Sequence, residues 1–402
     1  MGKKINKNVF ALGIVSFLTD VSSEMIFPIL PLFLSTVLGA GKEAIGLIEG
    51  VADSISSLFD IFVGYFSDRS GNRKKFVIFG YGLSAVLKVG LVFATIWQQV
   101  LAIRGLERIG KSIRTSPRDA IIAESSTEKT RAQAFGLHRA MDTAGAVVGP
   151  LIAYFVLKWF GENGEGYRTV FTIATIPAVL AVIAIILLVR EPKKTESGRK
   201  KLIAKPKFWE SLKMLDGKYK KFLAISCFFS LAYFSYALLI LRAGDLGIGP
   251  EYIVLIYALY NVVYALISVP IGKLADSVGK RKIIGISFVF YALICIGFIF
   301  ASQFWHVLAL FVLYAVFVAA DESVNKAYIS DMTERKIRGI ALGAYNSAVG
   351  AAYLPASIIF GVLWTGFGAP VAFGAAAIVA IIAGVMILAW NSQSSFQNPK
   401  PA

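Results

Sequence analysis

Gly64-Tyr-Phe-Ser-Asp68-Arg69-Ser-Gly71-Asn-Arg73-Lys74 follows an apolar stretch, and its pattern returns as Gly272-Lys-Leu-Ala-Asp276-Ser-Val-Gly279-Lys-Arg281-Lys282. The glycines, the aspartate and the basic pair keep the same spacing in both copies, which lie 208 residues apart in a chain of 402. A single copy of so short a pattern would say little. Two matched copies at about half the chain length indicate that one structural unit has been duplicated.

A second pair of stretches supports the duplication. Residues 118–136 align with residues 325–343 at an offset of 207. Four positions coincide: Ala120 with Ala327, Glu124 with Asp331, Arg131 with Arg338, and Gly136 with Gly343. Parallel internal repeats of this kind are typical of one large class of secondary transporters.

The composition indicates that a bilayer is the solvent of this chain. Hydrophobic residues make up 56%, charged residues only 16%, and the mean hydropathy is +0.68. A soluble domain normally has about 25% charged residues. Runs of about 20 apolar residues cross the hydrocarbon as helices, so we expect an all-α membrane protein with twelve transmembrane helices. The runs are centred within residues 9–36, 44–65, 76–96, 98–121, 133–157, 168–189, 221–241, 250–271, 283–301, 305–327, 340–362 and 368–390.

One long polar stretch divides these spans equally. Residues 191–219 are rich in lysine and arginine and are predicted to be a cytoplasmic basic linker. We therefore expect an N-terminal six-helix bundle over residues 1–190 and a pseudo-symmetric C-terminal one over 220–402. Residues 208–215 of the linker are expected to lie as an amphipathic helix on the membrane surface.

The basic residues predict the orientation. They concentrate in the first tail and in the loops after the even-numbered spans, whereas the other loops hold only Lys42, Lys158, Arg168 and Arg242. The positive-inside rule then places both termini in the cytoplasm. We expect the chain to lie in the cytoplasmic (inner) membrane. The net charge of +16 could also indicate nucleic-acid binding, but dispersal over five loops favours topology and anionic lipid.

Signals of several other classes of protein are missing from the sequence. The first apolar run is too long for a cleavable signal peptide, and Cys227 and Cys295 lie in apolar spans, which favours packing over a disulfide or metal site. The phosphate-binding loop of ATP-driven pumps does not occur in the sequence. We expect no cofactor, no enzymatic activity and no nucleic-acid partner. The expected partners of this monomer are a small-molecule substrate, protons and the lipid bilayer.

The duplicated stretch resembles the signature that the major facilitator superfamily carries after its helices 2 and 8, and the likeness extends over the whole chain. In the fifth span, Gly136, Gly145 and Gly149-Pro150 resemble the antiporter motif of that family, which is associated with exporters such as drug–proton antiporters. The usual closing Gly-Gly is replaced by Ala153-Tyr154. This resemblance implies a secondary transporter that works by alternating access.

Two further stretches refine the resemblance. Residues 104–110 of the fourth span are similar to the buried-arginine motif of the family, with Arg108 where a glycine is usual. Residues 19–25 and 110–114 resemble an uncharacterised archaeal and bacterial subgroup.

The resemblance also implies a set of gating residues. Asp68 would bind an arginine at the inner end of the fourth span, for which Arg118 is the candidate, and this contact would break as the transporter changes state. A charged turn that merely fixes topology is the alternative, although it leaves the repeated aspartate unexplained. The tight helix crossing provided by the fifth-span glycines could be packing alone or could also set a hinge. The candidate gating residues are Gly64, Asp68, Arg69, Gly71, Arg73, Arg118, Asp276, Gly145, Gly149 and Pro150.

Charges within the N-terminal spans are the candidate coupling residues, because burying a charge in a membrane is costly and usually functional. Asp20 and Glu24 lie one turn apart on the first span, and His138 and Asp142 lie on the fifth. Arg104, Arg108 and Lys111 form a cationic stripe on the fourth. In one interpretation the acids neutralise this stripe as a fixed network. In the other, a carboxylate gives up its partner and takes a proton when substrate arrives, and His138 either relays that proton or only packs.

The C-terminal spans offer a polar and aromatic lining instead. Tyr233, Tyr236, Asn261 and Asn346 are the candidate cavity residues there, and Asp321 and Glu322 align with Arg114 and Thr115. Such a lining suits a small amphiphilic molecule, whereas the cationic stripe, also a candidate cavity lining, indicates an anion. We predict proton-coupled export of a small organic solute. The alternatives are uptake or uniport of a small organic anion, and a non-transporting receptor on the same fold.

The first testable prediction concerns Asp68. Asp68→Asn should leave folding largely intact and reduce transport, because losing the charge removes an interaction from only one of the two states. Flux, together with distances between labels on the two halves, measures this. Unchanged flux with unchanged distances would reject the gating role.

Overall fold

The computed structural model describes residues 6–70, 72–127, 130–191, 215–333 and 337–390, with the side chains of residues 57–70, 132 and 339 left undescribed. Helices account for nearly all of this part of the chain. They are α1 Lys7–Ile26, α2 Leu30–Thr36, α3 Lys42–Ser70, α4 Arg73–Val92, α5 Trp97–Glu124, α6 Arg131–Phe160, α7 Gly164–Leu188, α8 Gly217–Ser230, α9 Tyr236–Asp245, α10 Pro250–Val278, α11 Lys280–Phe300, α12 Phe304–Met332, α13 Arg338–Phe367 and α14 Ala369–Ala389.

These helices form twelve spans, as predicted, in two pseudo-symmetric bundles, α1–α7 and α8–α14. Because the spans alternate in direction, α1 begins and α14 ends on one face, which we call the termini face; the loop at residues 37–41 lies on the opposite face. Residues 192–214 of the predicted linker, including most of its expected surface helix, lie outside the described residues. The division of the chain at residues 190 and 220 stays a prediction.

The first span of each bundle is broken, which the sequence analysis did not predict. Residues 27–29 separate α1 from α2, and residues 231–235 separate α8 from α9. Pro28 lies in the first break, where a missing N–H and a fixed φ disfavour continuous helix. Ser235 ends the second break by accepting a hydrogen bond from the Ala237 N–H, 3.3 Å away. Broken helices are tolerated in a membrane only where they are buried in protein or line a cavity.

Nine spans within the described residues are also long and apolar enough to cross a membrane by composition alone. The spans that fall short are α3, α5 and the broken pair α8–α9. Acidic or basic side chains, such as Glu49 in α3 and Arg104 in α5, interrupt the first two. The mean hydropathy of α3 and α5 is lower than that of those nine spans because these two helices carry charged residues of the central site.

The two halves meet closely near the face opposite the termini. Helices α3 and α13 cross there almost backbone to backbone: a Cβ on Gly46 would lie 2.3 Å from the carbonyl oxygen of Ser357. The Ser54 hydroxyl donates a hydrogen bond to the carbonyl oxygen of Gly350, 2.8 Å away. Only small residues permit this approach, so these helices seal the two halves together on that side.

Polar contacts reinforce the seal. Lys42 at the start of α3 forms an ion pair of 2.9 Å with Asp245 at the end of α9. The Thr365 hydroxyl of α13 donates a hydrogen bond of 2.6 Å to Glu43. Both contacts join the N-terminal half to the C-terminal half and therefore must break if this side opens.

Reversing the charge of Lys42 alone should open the seal. Lys42→Glu sets two acidic groups against each other, while adding Asp245→Lys restores attraction; exposed pairs of this kind contribute about 0–1 kcal/mol. Distances between spin labels on α3 and α9 should lengthen in the single variant and return in the double variant. Lys158→Glu, on the same face but outside the pair, is the matched control. Failure of the double variant to restore the distances would contradict a role for this pair.

Candidate functional site

The two halves enclose a central cavity with two adjoining chambers of about 260 and 380 Å³, which share Tyr257, Tyr260 and Glu322 as lining residues. The first chamber is mainly aromatic. The second carries charged side chains from α1, α5 and α6, including Asp20, Glu24 and Lys111. The combined space is in the range that ordinarily holds one small organic molecule.

Asp20 and Asp142 form a carboxyl pair between α1 and α6. The two side chains lie within hydrogen-bonding reach of each other. Asp142 also accepts a 2.6 Å hydrogen bond from Ser16 and is 3.0 Å from the Arg139 guanidinium. Two ionised carboxylates are both acceptors and repel each other, so a hydrogen bond between them requires a proton on one. A pair of this kind is able to share one proton.

A chain of hydrogen bonds leads from this carboxyl pair into the other half. The second guanidinium nitrogen of Arg139 donates to the Tyr264 hydroxyl of α10 at 3.1 Å. That hydroxyl donates to Glu322 of α12 at 2.6 Å. We call Asp20, Asp142, Arg139, Tyr264 and Glu322 the coupling chain. It joins the carboxyl pair of one half to Glu322 of the other half.

Glu24 provides a second contact between the halves. Its carboxylate accepts a hydrogen bond from the Tyr257 hydroxyl of α10. Asn261, one turn further along α10, donates to the carbonyl oxygen of Ala146 at 3.1 Å. The sequence placed Asp20 and Glu24 on one face of the first span, and the structure shows both on the second chamber.

The acidic partners of Arg104 and Arg108 are not those considered in the sequence analysis. Arg104 is buried and donates two hydrogen bonds to the Glu49 carboxylate of α3, at 3.2 and 2.9 Å. It also forms an ion pair of 3.1 Å with Glu107. Arg108 lies 3.5 Å from Asp53 of α3. The fixed network therefore exists, but its acids come from α3 and α5 and leave Asp20 and Asp142 to pair with each other.

Lys88 is a buried cation that the sequence analysis missed. Its side chain is 1% exposed, and its ammonium group donates to the hydroxyls of Ser22 and Ser23 at 2.8 Å each. A lysine within the otherwise apolar span 76–96 was the available signal.

The aromatic chamber contains more tyrosines than predicted. Tyr233 and Tyr236 line it as expected, and the Tyr314 hydroxyl lies 3.4 Å from that of Tyr233. Tyr260 and Tyr353 join them. Among the described residues, the Tyr236 hydroxyl is buried without a hydrogen-bond partner, which leaves a donor available to a ligand.

Two predicted site residues lie away from the described cavities. Asn346 is exposed on α13 and is absent from the lining of the central cavity. His138 is 6% exposed and also absent from that lining, and its Nε2 has no hydrogen-bond partner among the described residues. A proton relay through His138 stays a prediction.

The predicted gating charges are engaged within their own halves. Arg73 pairs with Glu124, Arg118 with Asp119 at 2.9 Å, and Asp276 with Lys280 at 3.1 Å. The side chains of Asp68 and Arg69, the surroundings of Gly64 and all of Gly71 lie outside what the structure describes. The proposed contact between Asp68 and Arg118 therefore stays a prediction.

The glycines of α6 position the acids of α1. A Cβ on Gly145 would lie 2.5 Å from the Phe17 carbonyl oxygen and 3.0 Å from the Asp20 Cβ. A Cβ on Gly149 would lie 2.6 Å from the Val21 carbonyl oxygen and 3.1 Å from the Glu24 Cβ. Pro150 follows within the same helix. Close packing at these glycines thus sets the depth at which both carboxylates face the cavity.

Gly145→Ala should lower the thermal-denaturation midpoint in detergent, because the added methyl group pushes α6 away from α1 at a cost of about 1–3 kcal/mol. Gly136→Ala is the matched control, since nothing lies within 4 Å of a Cβ there. Alanine should be neutral or slightly stabilising at that position. Equal midpoints for the two variants would contradict the packing role of Gly145.

Comparisons with known proteins agree with this architecture. The family model described as Major Facilitator Superfamily matches residues 12–242 and 222–402. The chain is 36% identical over 392 residues, 96% of its length and 95% of the relative, to the uncharacterized MFS-type transporter MJ1317 of Methanocaldococcus jannaschii. It is 27% identical over 358 residues, 85% of each chain, to Multidrug resistance protein MdtG of Proteus mirabilis.

The fold is similar to that of a solved transporter at much lower sequence identity. A crystal structure of the nucleoside transporter NupG aligns with a TM-score of 0.81 and 12% identity, covering 95% of this chain and 99% of that one. The match of the family model to nearly the whole chain decides the classification. The chain belongs to the Major Facilitator Superfamily of membrane transporters.

Proposed function

We propose that this transporter exports a small organic solute across the cytoplasmic membrane in exchange for protons, with the termini face in the cytoplasm. Membership of the superfamily supports alternating access, and the glycine motif of α6 together with the similarity to a multidrug resistance protein supports export. The excess of Lys and Arg in the loops of the termini face supports the orientation.

The observation that carries proton coupling is the coupling chain. When the Asp20–Asp142 pair holds its proton, the two carboxyl groups bond to each other and carry one negative charge. When the proton leaves, both groups are charged and attract Arg139 more strongly. Arg139 also binds Tyr264 of the other half, so the charge of the pair alters a contact between the halves. Protonation thereby biases the equilibrium between two conformations.

The shape and chemistry of the cavity support an amphiphilic solute. Tyrosine rings in the first chamber supply apolar faces and hydroxyl donors, and charged side chains line both chambers. Uptake or uniport of a small organic anion is the second candidate, favoured by Lys111, which lines the second chamber and forms no ion pair within the described part of the chain.

Asp20→Asn should abolish pH-driven flux in proteoliposomes while substrate exchange survives. An asparagine amide donates permanently to Asp142 and thus imitates the protonated pair, so the cavity still reorients with substrate bound. The transported probe would be chosen from small aromatic solutes that raise the melting temperature of the wild-type protein. Asp142→Asn should uncouple transport in the same way, and Glu24→Gln tests the remaining acid.

Glu49→Gln is the matched control for a structural acid. Removing this partner leaves the buried Arg104 incompletely paired, which costs about 3–5 kcal/mol, so melting temperature, exchange and driven flux should fall together. If melting temperature, exchange and driven flux also fall together in the Asp20, Glu24 and Asp142 variants, the proposal that these acids couple transport to protons is wrong. Asp321 and Glu322 would then be the next residues to test.

A further inference from the structure

A side pocket of about 90 Å³ opens off the central cavity within the N-terminal half. Helices α1, α4 and α5 surround it, and it shares Asp20, Glu24, Lys111 and Arg114 with the second chamber. Its charged lining residues are the cations Lys88, Arg104, Arg108, Lys111 and Arg114 and the acids Asp20, Glu24 and Glu107. Cations therefore outnumber acids around this small space.

The acids of the side pocket already have partners. Glu107 is paired with Arg104 at 3.1 Å, and Glu24 accepts the Tyr257 hydrogen bond. Asp20 lies beside Asp142 on the second chamber. Among the cations, Arg104 and Arg108 have acidic partners from α3, as described above.

Three of the five cations that line the side pocket form no ion pair of 4.0 Å or less among the described residues: Lys88, Lys111 and Arg114. Lys88 is held by two serine hydroxyls. Arg114 is 8% exposed, donates to the Ser84 hydroxyl at 3.2 Å and lies over the Tyr81 ring at 4.2 Å. Hydroxyl groups solvate a cation but do not neutralise it.

We propose that the side pocket is a subsite for the anionic group of the transported molecule, a carboxylate, phosphate or sulfonate. This inference rests on the proposed function, because it takes the central cavity as the substrate site. Cations buried at membrane depth are costly unless they are paired, and a bound anion would supply the missing charge. The ammonium and guanidinium groups of Lys88 and Arg114 are the usual donors to such oxyanions.

The dimensions of the pocket restrict what enters it. A volume of 90 Å³ holds one charged group and leaves the rest of the molecule in the central cavity. Phe27 lines both spaces, and its ring centroid lies 6.0 Å from that of Tyr236 and 5.5 Å from that of Tyr257. The substrate class is therefore an amphiphilic organic anion whose apolar or aromatic body packs against these rings.

Binding of matched probes to the purified full-length protein tests this proposal. Phenyl phosphate and benzoate should bind more tightly than the uncharged benzamide at equal ionic strength. Lys111→Gln should weaken the two anions about tenfold or more, as expected for loss of a charge-assisted hydrogen bond, and leave benzamide unchanged. Lys326→Gln, an exposed lysine of α12 outside the described cavities, is the matched control and should change neither.

Variants of the buried cations extend the test. Lys88→Met and Arg114→Gln should weaken the anions by a similar factor, and retention of the wild-type melting temperature shows which of them fold. If both are unstable, Lys111→Gln decides, because its side chain is exposed to the cavity. Equal affinity for benzoate and benzamide, or equal effects of Lys111→Gln and Lys326→Gln, would overturn the proposal.

A lipid headgroup has the same phosphate chemistry, so the titration is repeated in nanodiscs of phosphatidylcholine with and without phosphatidylglycerol. An unchanged affinity for phenyl phosphate supports a soluble anion. Competition by phosphatidylglycerol that disappears in Lys111→Gln would assign the pocket to lipid and overturn the substrate assignment. Because binding needs no gradient, anion selectivity without pH-driven flux would reject only the proposed coupling, and pH-driven flux without anion selectivity would reject only the subsite.

Discussion

The constraint on which this structure depends is that a charge within the hydrocarbon needs a partner of its own. Helices α3 and α5 satisfy it with the Arg104–Glu49 contact, which ties the helices of the N-terminal half together. This pairing uses the acids of α3 and so leaves Asp20 and Asp142, on α1 and α6, to pair with each other. Arg139 is the basic partner of Asp142, and the proposed coupling rests on a proton that the two carboxyl groups share.

The same constraint explains why the cavity links the two halves. One guanidinium nitrogen of Arg139 donates a hydrogen bond to Asp142, and another donates to Tyr264. A change in the charge of Asp142 therefore alters a contact between the two bundles. The tight glycine crossing of α6 on α1 holds both acids at fixed depth, while the seal between α3 and α13 lies towards the opposite face. Helix α6 thus carries the close-packed glycines, the Asp142 carboxylate and the Arg139 contact with the other half.

Much of the fold was predictable from the sequence, because duplication, hydropathy and span length are properties of the chain itself. The twelve spans, the two bundles and membership of the superfamily were confirmed. The pairing of charges was not predictable, because a sequence shows which face of a helix carries Arg104 but not that α3 brings Glu49 against it. The break after Ile26 has a signal in Pro28, whereas residues 231–235, which break the helix after Ser230, contain no proline. Lys88 was the one basic residue in an otherwise apolar predicted span. The roles of the site residues stay predictions.

The account depends most directly on the single proton of the Asp20–Asp142 pair and its effect on the contact between the halves. Distances between spin labels on the termini-face ends of α6 and α10, measured as pH is changed, test this in the purified protein without knowledge of the substrate. The account predicts that the distance distribution shifts with pH in the wild-type chain and becomes insensitive to pH in Asp20→Asn. A pH-dependent shift that persists in both Asp20→Asn and Asp142→Asn would contradict it.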